Sequence, residues 1–230
     1  MLTKYKAVFF DVGGTLLRVH PSVGEVYAKH ARPFGFSGSA EDLDRRFGME
    51  WKKTGGMESL GTQSGLTAER RFWRTLVFNV FDVCGGLEDF DAYFEIIYDA
   101  FQSGENWRVY EDVAESGILD KLKGRGVVLG VISNWDSRLR TILENTGLAS
   151  YFDFILASTV VGSAKPDRKI FREALGRCGA APNEACHIGD EFVADFQGAR
   201  NSGMEAILID RHGRHNGEAA RKIGSFLELV

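Results

Sequence analysis

Cysteine is scarce in this chain. Its three residues, Cys84, Cys178 and Cys186, lie far apart among 230 positions, with no CxxC or Cys/His ligand spacing. That excludes a zinc-type ligand set and a disulfide framework. Reduced, structural thiols suit a cytoplasmic protein. A basic excess is also lacking: 28 Lys and Arg against 32 Asp and Glu leave a net charge of -4 without any long basic run, which argues against a nucleic-acid partner. No apolar run is long enough to span a bilayer, so no membrane partner is expected. The opening residues, Met1 to Lys6, carry no signal-peptide pattern. Internal repeats and low-complexity tracts are absent too. What remains is ordinary globular composition, 44% hydrophobic and 26% charged, in a length that suits one large domain or two modest ones.

One stretch organises the rest: Ala7-Val8-Phe9-Phe10-Asp11-Val12-Gly13-Gly14-Thr15-Leu16-Leu17. Its apolar and aromatic run reads as a buried β-strand that stops at a single carboxylate. Two glycines and a threonine then suit a tight turn whose bare amides pass close to something. Asp11 is therefore expected at the carboxyl end of a strand, the edge where open α/β sheets bind ligands.

From about Leu16 to Asn106 the pattern is helical, with little strand signal. Val23, Val26, Tyr27 and Ala31 share a face, and Ser39 begins a capping-box-like run before Leu43, Phe47 and Trp51. A glycine-rich loop follows over 54–65, Thr67 is placed to cap a third helix, and Phe90, Phe94, Ile97 and Phe101 mark a fourth. Four helices with short links predict a small bundle.

After Trp107 strands alternate with helices. A helix over 111–123 ends at Gly124. Strands are expected at 127–132, 152–157, 185–188 and 206–209. The segment 211–230 is polar, then weakly helical, and suggests no function. Alternation of this kind predicts an α/β fold, a Rossmann-like parallel sheet with helices on both faces. Residues 1–16 and 107–230 would form that core, and 17–106 a helical-bundle cap inserted where Asp11 is presented. A cap so placed can exclude water and select substrates.

Three strand ends then bring polar groups to one sheet edge: Asp11, Ser133-Asn134, and Asp190 with Asp195. Lys165, just before a helix, reaches the same edge. Clustered carboxylates suit Mg²⁺. A hydroxyl, backbone amides and an ammonium suit a phosphate, and the ammonium offsets the concentrated negative charge.

The four motifs, Asp11-Val12-Gly13-Gly14-Thr15, Ser133 ending its strand, Lys165-Pro166, and Gly189-Asp190 through Asp195, resemble the haloacid dehalogenase superfamily of hydrolases over nearly the whole chain. The insertion is similar to that family's type 1 helical cap. More narrowly, Gly65-Leu66-Thr67 before Trp73, Ile132 to Leu139, and His187 to Gly198 resemble the subgroup labelled domain-containing protein 3, which implies no firm substrate.

The resemblance implies a Mg²⁺-dependent phosphatase of a small phosphorylated metabolite, working as a monomer or homodimer. It makes Asp11 the nucleophile and a metal ligand, with the Gly13 carbonyl and Asp190 as further ligands. Asp195 acts through water or by orienting Lys165. Gly14, Thr15, Ser133, Asn134 and Lys165 hold and neutralise the phosphoryl group.

One departure matters. Phosphatases of the family carry, two residues after the nucleophile, an Asp that protonates the leaving group; this chain has Gly13. Loss of a general acid typically costs about 10²–10⁴ in rate. Either the leaving group needs no acid, or another group such as His20 or Glu191 substitutes, or the enzyme is weak. The alternatives within the fold are a haloacid dehalogenase or a phosphonate hydrolase, the latter needing a cap lysine such as Lys29, Lys52 or Lys53. Outside catalysis, the alternative is a binding or regulatory protein.

Overall fold

In the computed structural model, which describes residues 2–63 and 65–230, the run that leads to Asp11 is β1 (Ala7–Phe10), fully buried. A turn carries the chain into β2 (Leu17–Val19), which pairs antiparallel with β3 (Trp107–Val109) in a short ribbon. Between the ribbon strands lie α1 (Val23–Ala31), α2 (Ala40–Thr54), α3 (Leu66–Asp82) and α4 (Phe90–Ala100). They bury a core of their own around Tyr27, Leu43, Leu76, Phe81 and Tyr93.

The remainder alternates. It runs through α5 (Glu111–Ser116), α6 (Ile118–Lys123), β4 (Val128–Ser133), α7 (Leu139–Asn145), β5 (Phe154–Ala157), α8 (Ser158–Val161) and α9 (Arg168–Cys178). Then come β6 (Ala185–Gly189), a π-helical turn (Phe192–Gln197), α10 (Gly198–Asn201), β7 (Glu205–Ile209) and β8 (Lys222–Ile223). The six core strands form one sheet, ordered β5-β4-β1-β6-β7-β8, and every pairing is parallel.

A parallel sheet covered on both faces needs apolar side chains at successive positions, which is why the strands read as continuous apolar runs. The two faces sort by pleat. Val8 and Phe10 join Leu129, Val131, Ile188 and Ile207 beneath the helices α5 to α7. Ala7 and Phe9 join Ile132, Phe154 and Ala206 beneath α9 and α10. The expected α/β fold with an inserted helical bundle is what the chain forms.

Several local expectations need correction. Leu17–Val19 is a strand inside the region read as helical, because its partner at Trp107–Val109 arrives from 90 residues away in the chain and no short window shows that pairing. The 54–65 stretch is not a plain loop. Thr54 ends α2, and Gly56–Leu60 forms a 3-10 turn that buries Met57 and Leu60; Ser64 lies outside the described residues. Gly65, not Thr67, precedes the first turn of α3. The single helix expected over 111–123 is two, broken at Gly117, whose φ of 57° no helix interior permits. The 211–230 tail adds β8 and a 3-10 turn, Phe226–Leu229, that packs against α5.

Candidate active site

Strand register assembles the site. Phe10 pairs with Val131 on one side and Ile188 on the other, so β1, β4 and β6 end together. Asp11, Ser133 and Asp190 leave these three ends side by side, all buried. Lys165 enters from the segment between α8 and α9, and Asp195 from the π-helical turn after β6. Such turns recur at functional sites because the extra residue re-aims a side chain.

The contacts are short. Asp11 Oδ1 accepts from Ser133 Oγ at 2.8 Å and from Lys165 Nζ at 2.7 Å. Lys165 Nζ also donates to Asp195 Oδ1 at 2.5 Å. His187, on β6 and fully buried, places Nε2 2.9 Å from the same Asp195 oxygen. The Glu191 amide donates to the other, Oδ2, at 2.9 Å. Asn134 locks the lysine's backbone: its Oδ1 accepts from Lys165 N at 2.7 Å, and its Nδ2 donates to Lys165 O at 2.9 Å. That amide also donates to Glu58 Oε1 on the 3-10 turn of the helical insertion, at 2.8 Å.

Two glycines make this density attainable. A Cβ on Gly189 would lie 2.1 Å from Asp195 Cγ, and one on Gly14, where φ is 76°, would lie 2.3 Å from Asp190 Oδ2.

Charge is unevenly balanced. Burial would drive the Lys165 ammonium toward neutrality, but Asp11 and Asp195 more than offset it and raise its pKa. Burial also opposes the Asp195 carboxylate, yet Lys165 and His187 hold its pKa below the ordinary value. Burial lowers the pKa of His187, against the pull of the Asp195 carboxylate beside its Nε2. Asp11 is pushed up by burial against the pull of Lys165. Asp190 is pushed up to about 8, first by burial and then by the negative charge of Asp11, Asp195 and Glu191. Its carboxylate accepts from Thr15 Oγ1 at 3.4 Å and pairs with the Arg214 guanidinium at 3.2 Å, which opposes that rise. Oxygens of Asp11, Asp190 and Asp195 fall within 4.8 Å of one another. An all-oxygen, charge-rich, buried donor set of this kind fits a hard divalent cation such as Mg²⁺.

The predicted residues divide on inspection. Asp11, Ser133, Lys165, Asp190 and Asp195 converge, and Gly13, Gly14 and Asn134 line the same cavity. The amides of Gly14 and Thr15, expected to be bare, are spent inside the turn, on the carbonyls of Leu17 (3.0 Å) and Val12 (3.3 Å). Thr15 turns its hydroxyl toward Asp190 and is fully buried. Thr15 therefore supports Asp190, and Gly14 stays on the cavity wall with its amide used in the turn. His20 pairs with Arg108 on the ribbon, whereas Glu191 lines the cavity beside the site.

The 211–230 tail supplies residues that sequence reasoning passed over. Arg211 donates to the carbonyls of Gly14 (2.7 Å) and Thr15 (2.9 Å) and pairs with Asp112. Its guanidinium lies 3.8 Å from the centroid of the Tyr110 ring. His215 Nε2 sits 2.9 Å from the Asp190 carbonyl. The rule that pointed to Asp11 directs attention to Arg211 as well, because it lies two residues beyond β7 at the same carboxyl edge.

A cavity of about 680 Å³ opens over these groups, roofed by the helical insertion. Among the described residues, no helix is long and apolar enough to cross a membrane.

Comparison with known proteins identifies the family and the fold. The sequence model of the haloacid dehalogenase-like hydrolases matches residues 5–203. The mouse protein named haloacid dehalogenase-like hydrolase domain-containing protein 3 is 35% identical over 204 residues, 87% of this chain and 80% of its own. A HAD phosphatase from Thermococcus onnurineus superposes with a TM-score of 0.67 at 27% identity, covering 97% of this chain and 95% of its own. An L-2-haloacid dehalogenase from Xanthobacter autotrophicus shares the fold, with a TM-score of 0.74 at 19% identity over 98% of this chain and 96% of its own.

Proposed function

Because the chain belongs to the haloacid dehalogenase-like hydrolases, we propose that it is a Mg²⁺-dependent phosphatase of a small phosphorylated molecule. The observation that carries the reading is the buried cluster of Asp11, Asp190 and Asp195 against the single ammonium of Lys165. Attack at carbon, as in a dehalogenase, needs a carboxylate nucleophile but no cation to neutralise a phosphoryl group. Phosphoryl transfer needs positioning and charge neutralisation above all.

Asp11 and Asp190, with the Gly13 carbonyl, would hold the cation. When bound, it neutralises charge on the transferring phosphoryl group. The oxygens of Asp195 are committed to Lys165, His187 and the Glu191 amide, so its task is to orient Lys165. A carboxylate oxygen of Asp11 attacks phosphorus, the bond to the ester oxygen breaks, and the phosphoryl group rests on Asp11 until water releases it. The Ser133 hydroxyl and the Lys165 ammonium, each within 2.8 Å of Asp11 Oδ1, meet the phosphoryl oxygens during transfer. Residues 17–106 act as the cap that shields this step from bulk water. The free cysteines suit a cytoplasmic setting.

The test is phosphate release from a panel of small phosphate esters, with and without Mg²⁺, using Asp11→Asn as the blank. Release that disappears in the variant and with chelator is expected. Release that persists in Asp11→Asn, or none from the wild-type protein, would overturn the reading.

A further inference from the structure

All four tryptophans of this chain line the cavity that holds Asp11. Trp51 on α2 and Trp73 on α3 stack with ring centroids 5.7 Å apart and planes at 28°. Trp107 on β3 and Trp135, two residues beyond β4, lie 5.2 Å apart at 51°. Each is half-buried, with part of its surface accessible. Two of the indole N–H groups are already spent within the protein, Trp73 on Asp136 at 2.6 Å and Trp107 on the Phe101 carbonyl at 2.8 Å. These two rings therefore offer a ligand apolar π-surface rather than hydrogen bonds.

The second observation concerns Gly13. A Cβ built there would point at Trp135, 3.2 Å from Cζ3. Chain neighbours aside, atoms of that indole are the only ones of any described residue within 4 Å of the position. The space a Gly13 side chain would enter is thus occupied by an aromatic ring, and no titratable group of any described residue lies within 4 Å of that position to take the place of a carboxylate there. An alkoxide, whose conjugate acid has a pKa near that of water at about 16, leaves poorly without a proton. A phenoxide, with a conjugate-acid pKa of about 10, leaves far more readily.

We infer that the substrate is an aryl phosphate, a phosphate monoester of a planar aromatic alcohol, whose ring packs among the tryptophans. The inference rests on the phosphatase reading. An Asp11 oxygen forms the bond to phosphorus as the bond from phosphorus to the aryl oxygen breaks. The electron pair leaves with the phenoxide, which takes its proton from water. Water then cleaves the phosphoryl–Asp11 bond, returning the carboxylate and inorganic phosphate.

Three probes separate the two halves of the argument. Phenyl phosphate has both the ring and the good leaving group, benzyl phosphate has the ring with an alkyl leaving oxygen, and cyclohexyl phosphate has neither. With wild-type protein and Mg²⁺, kcat for phenyl phosphate should exceed that for benzyl phosphate by about 10²–10⁴, the factor a general acid would otherwise supply. Binding is read separately, by tryptophan fluorescence quenching in Asp11→Asn. Phenyl and benzyl phosphate should bind alike there, and cyclohexyl phosphate about tenfold or more weakly, given the usual strength of stacking. Trp135→Ala should weaken phenyl phosphate by a similar factor, with Trp51→Leu as a second variant should the first fail to fold.

Equal kcat for phenyl and benzyl phosphate would overturn the leaving-group argument. Equal binding of all three probes would overturn the aromatic site. Absence of turnover with every probe, but with the expected order of binding, would overturn the phosphatase reading and leave the aromatic site standing.

Discussion

Gly13 leaves the position two residues beyond the Asp11 nucleophile without a side chain. The indole of Trp135, 122 positions away, fills the space. Restoring a carboxylate by Gly13→Asp alone is therefore expected to fail. The new side chain would have to displace the ring, and overpacking of this kind typically costs about 1–3 kcal/mol. Combining it with Trp135→Ala opens the room. The double variant should hydrolyse benzyl phosphate faster than Trp135→Ala alone, and equal rates would show that space is not the obstacle. Cys186 gives a pH prediction. Fully buried on β6, its thiol is pushed up to about 12 by burial. Above the ordinary thiol pKa of about 8.5, the unfolded chain gives up this proton while the folded chain keeps it. Stability should then fall as pH rises from about 8.5 toward 12, by at most about 1.4 kcal/mol per unit from this group. The slope of denaturation midpoint against pH between 8.5 and 10.5 should be shallower in Cys186→Ala, and an identical slope would contradict the assignment.

Among the elements, the strands and most helices announced themselves by period, and the ribbon and the tail did not. The Leu17–Val19 strand is only three residues long, too short for its alternation to mark it, and exists because Trp107–Val109 pairs with it. The tail is polar because it works as a brace. Arg211 ties the Gly14–Thr15 turn to Asp112 at the start of α5, and Asp112 also accepts from the Phe226 amide at 2.9 Å. Arg211→Ala should free the turn that positions Asp11 and Asp190. A displacement of about 1 Å at a reacting group can cost roughly 10²-fold in rate, so kcat should drop by about 10- to 100-fold. The fall should appear in kcat more than in KM, since Arg211 holds the nucleophile's turn rather than the ligand. A change confined to KM would count against the bracing role.

For the whole molecule, the insertion and the sheet are joined by a buried polar seam. Trp73 donates to Asp136, Arg138 pairs with Asp136 at 2.6 Å and donates to the Tyr98 carbonyl at 2.8 Å, and Glu69 accepts from Ser137 and Thr159. Opening the two parts would leave these groups without partners, at about 1–3 kcal/mol for each unsatisfied group. Thermal unfolding followed by tryptophan emission and by far-ultraviolet circular dichroism should therefore coincide in a single transition. Glu69→Ala, which strips three donors of their acceptor, should lower Tm and separate the two curves. Coincident, unshifted curves in the variant would mean the seam does not couple the parts.

The sequence by itself determined the parallel α/β sheet, the helical insertion after β1 and five convergent residues, Asp11, Ser133, Lys165, Asp190 and Asp195. For Asp11, Ser133 and Asp190 this is a local fact: an apolar run buried on both faces must end at a turn, and the polar residue at that end stands at the ligand-binding edge. Lys165 and Asp195 lie beyond the strands and were legible through the family motifs they belong to. Only the tertiary structure decided what stands beside them. The ring at Gly13, the spent amides of Gly14 and Thr15, the Arg211 brace and the gathering of Trp51, Trp73, Trp107 and Trp135 around one cavity depend on contacts between positions far apart in the chain. Periodicity within one element carries no trace of such contacts, because the partner that satisfies each group is supplied by packing.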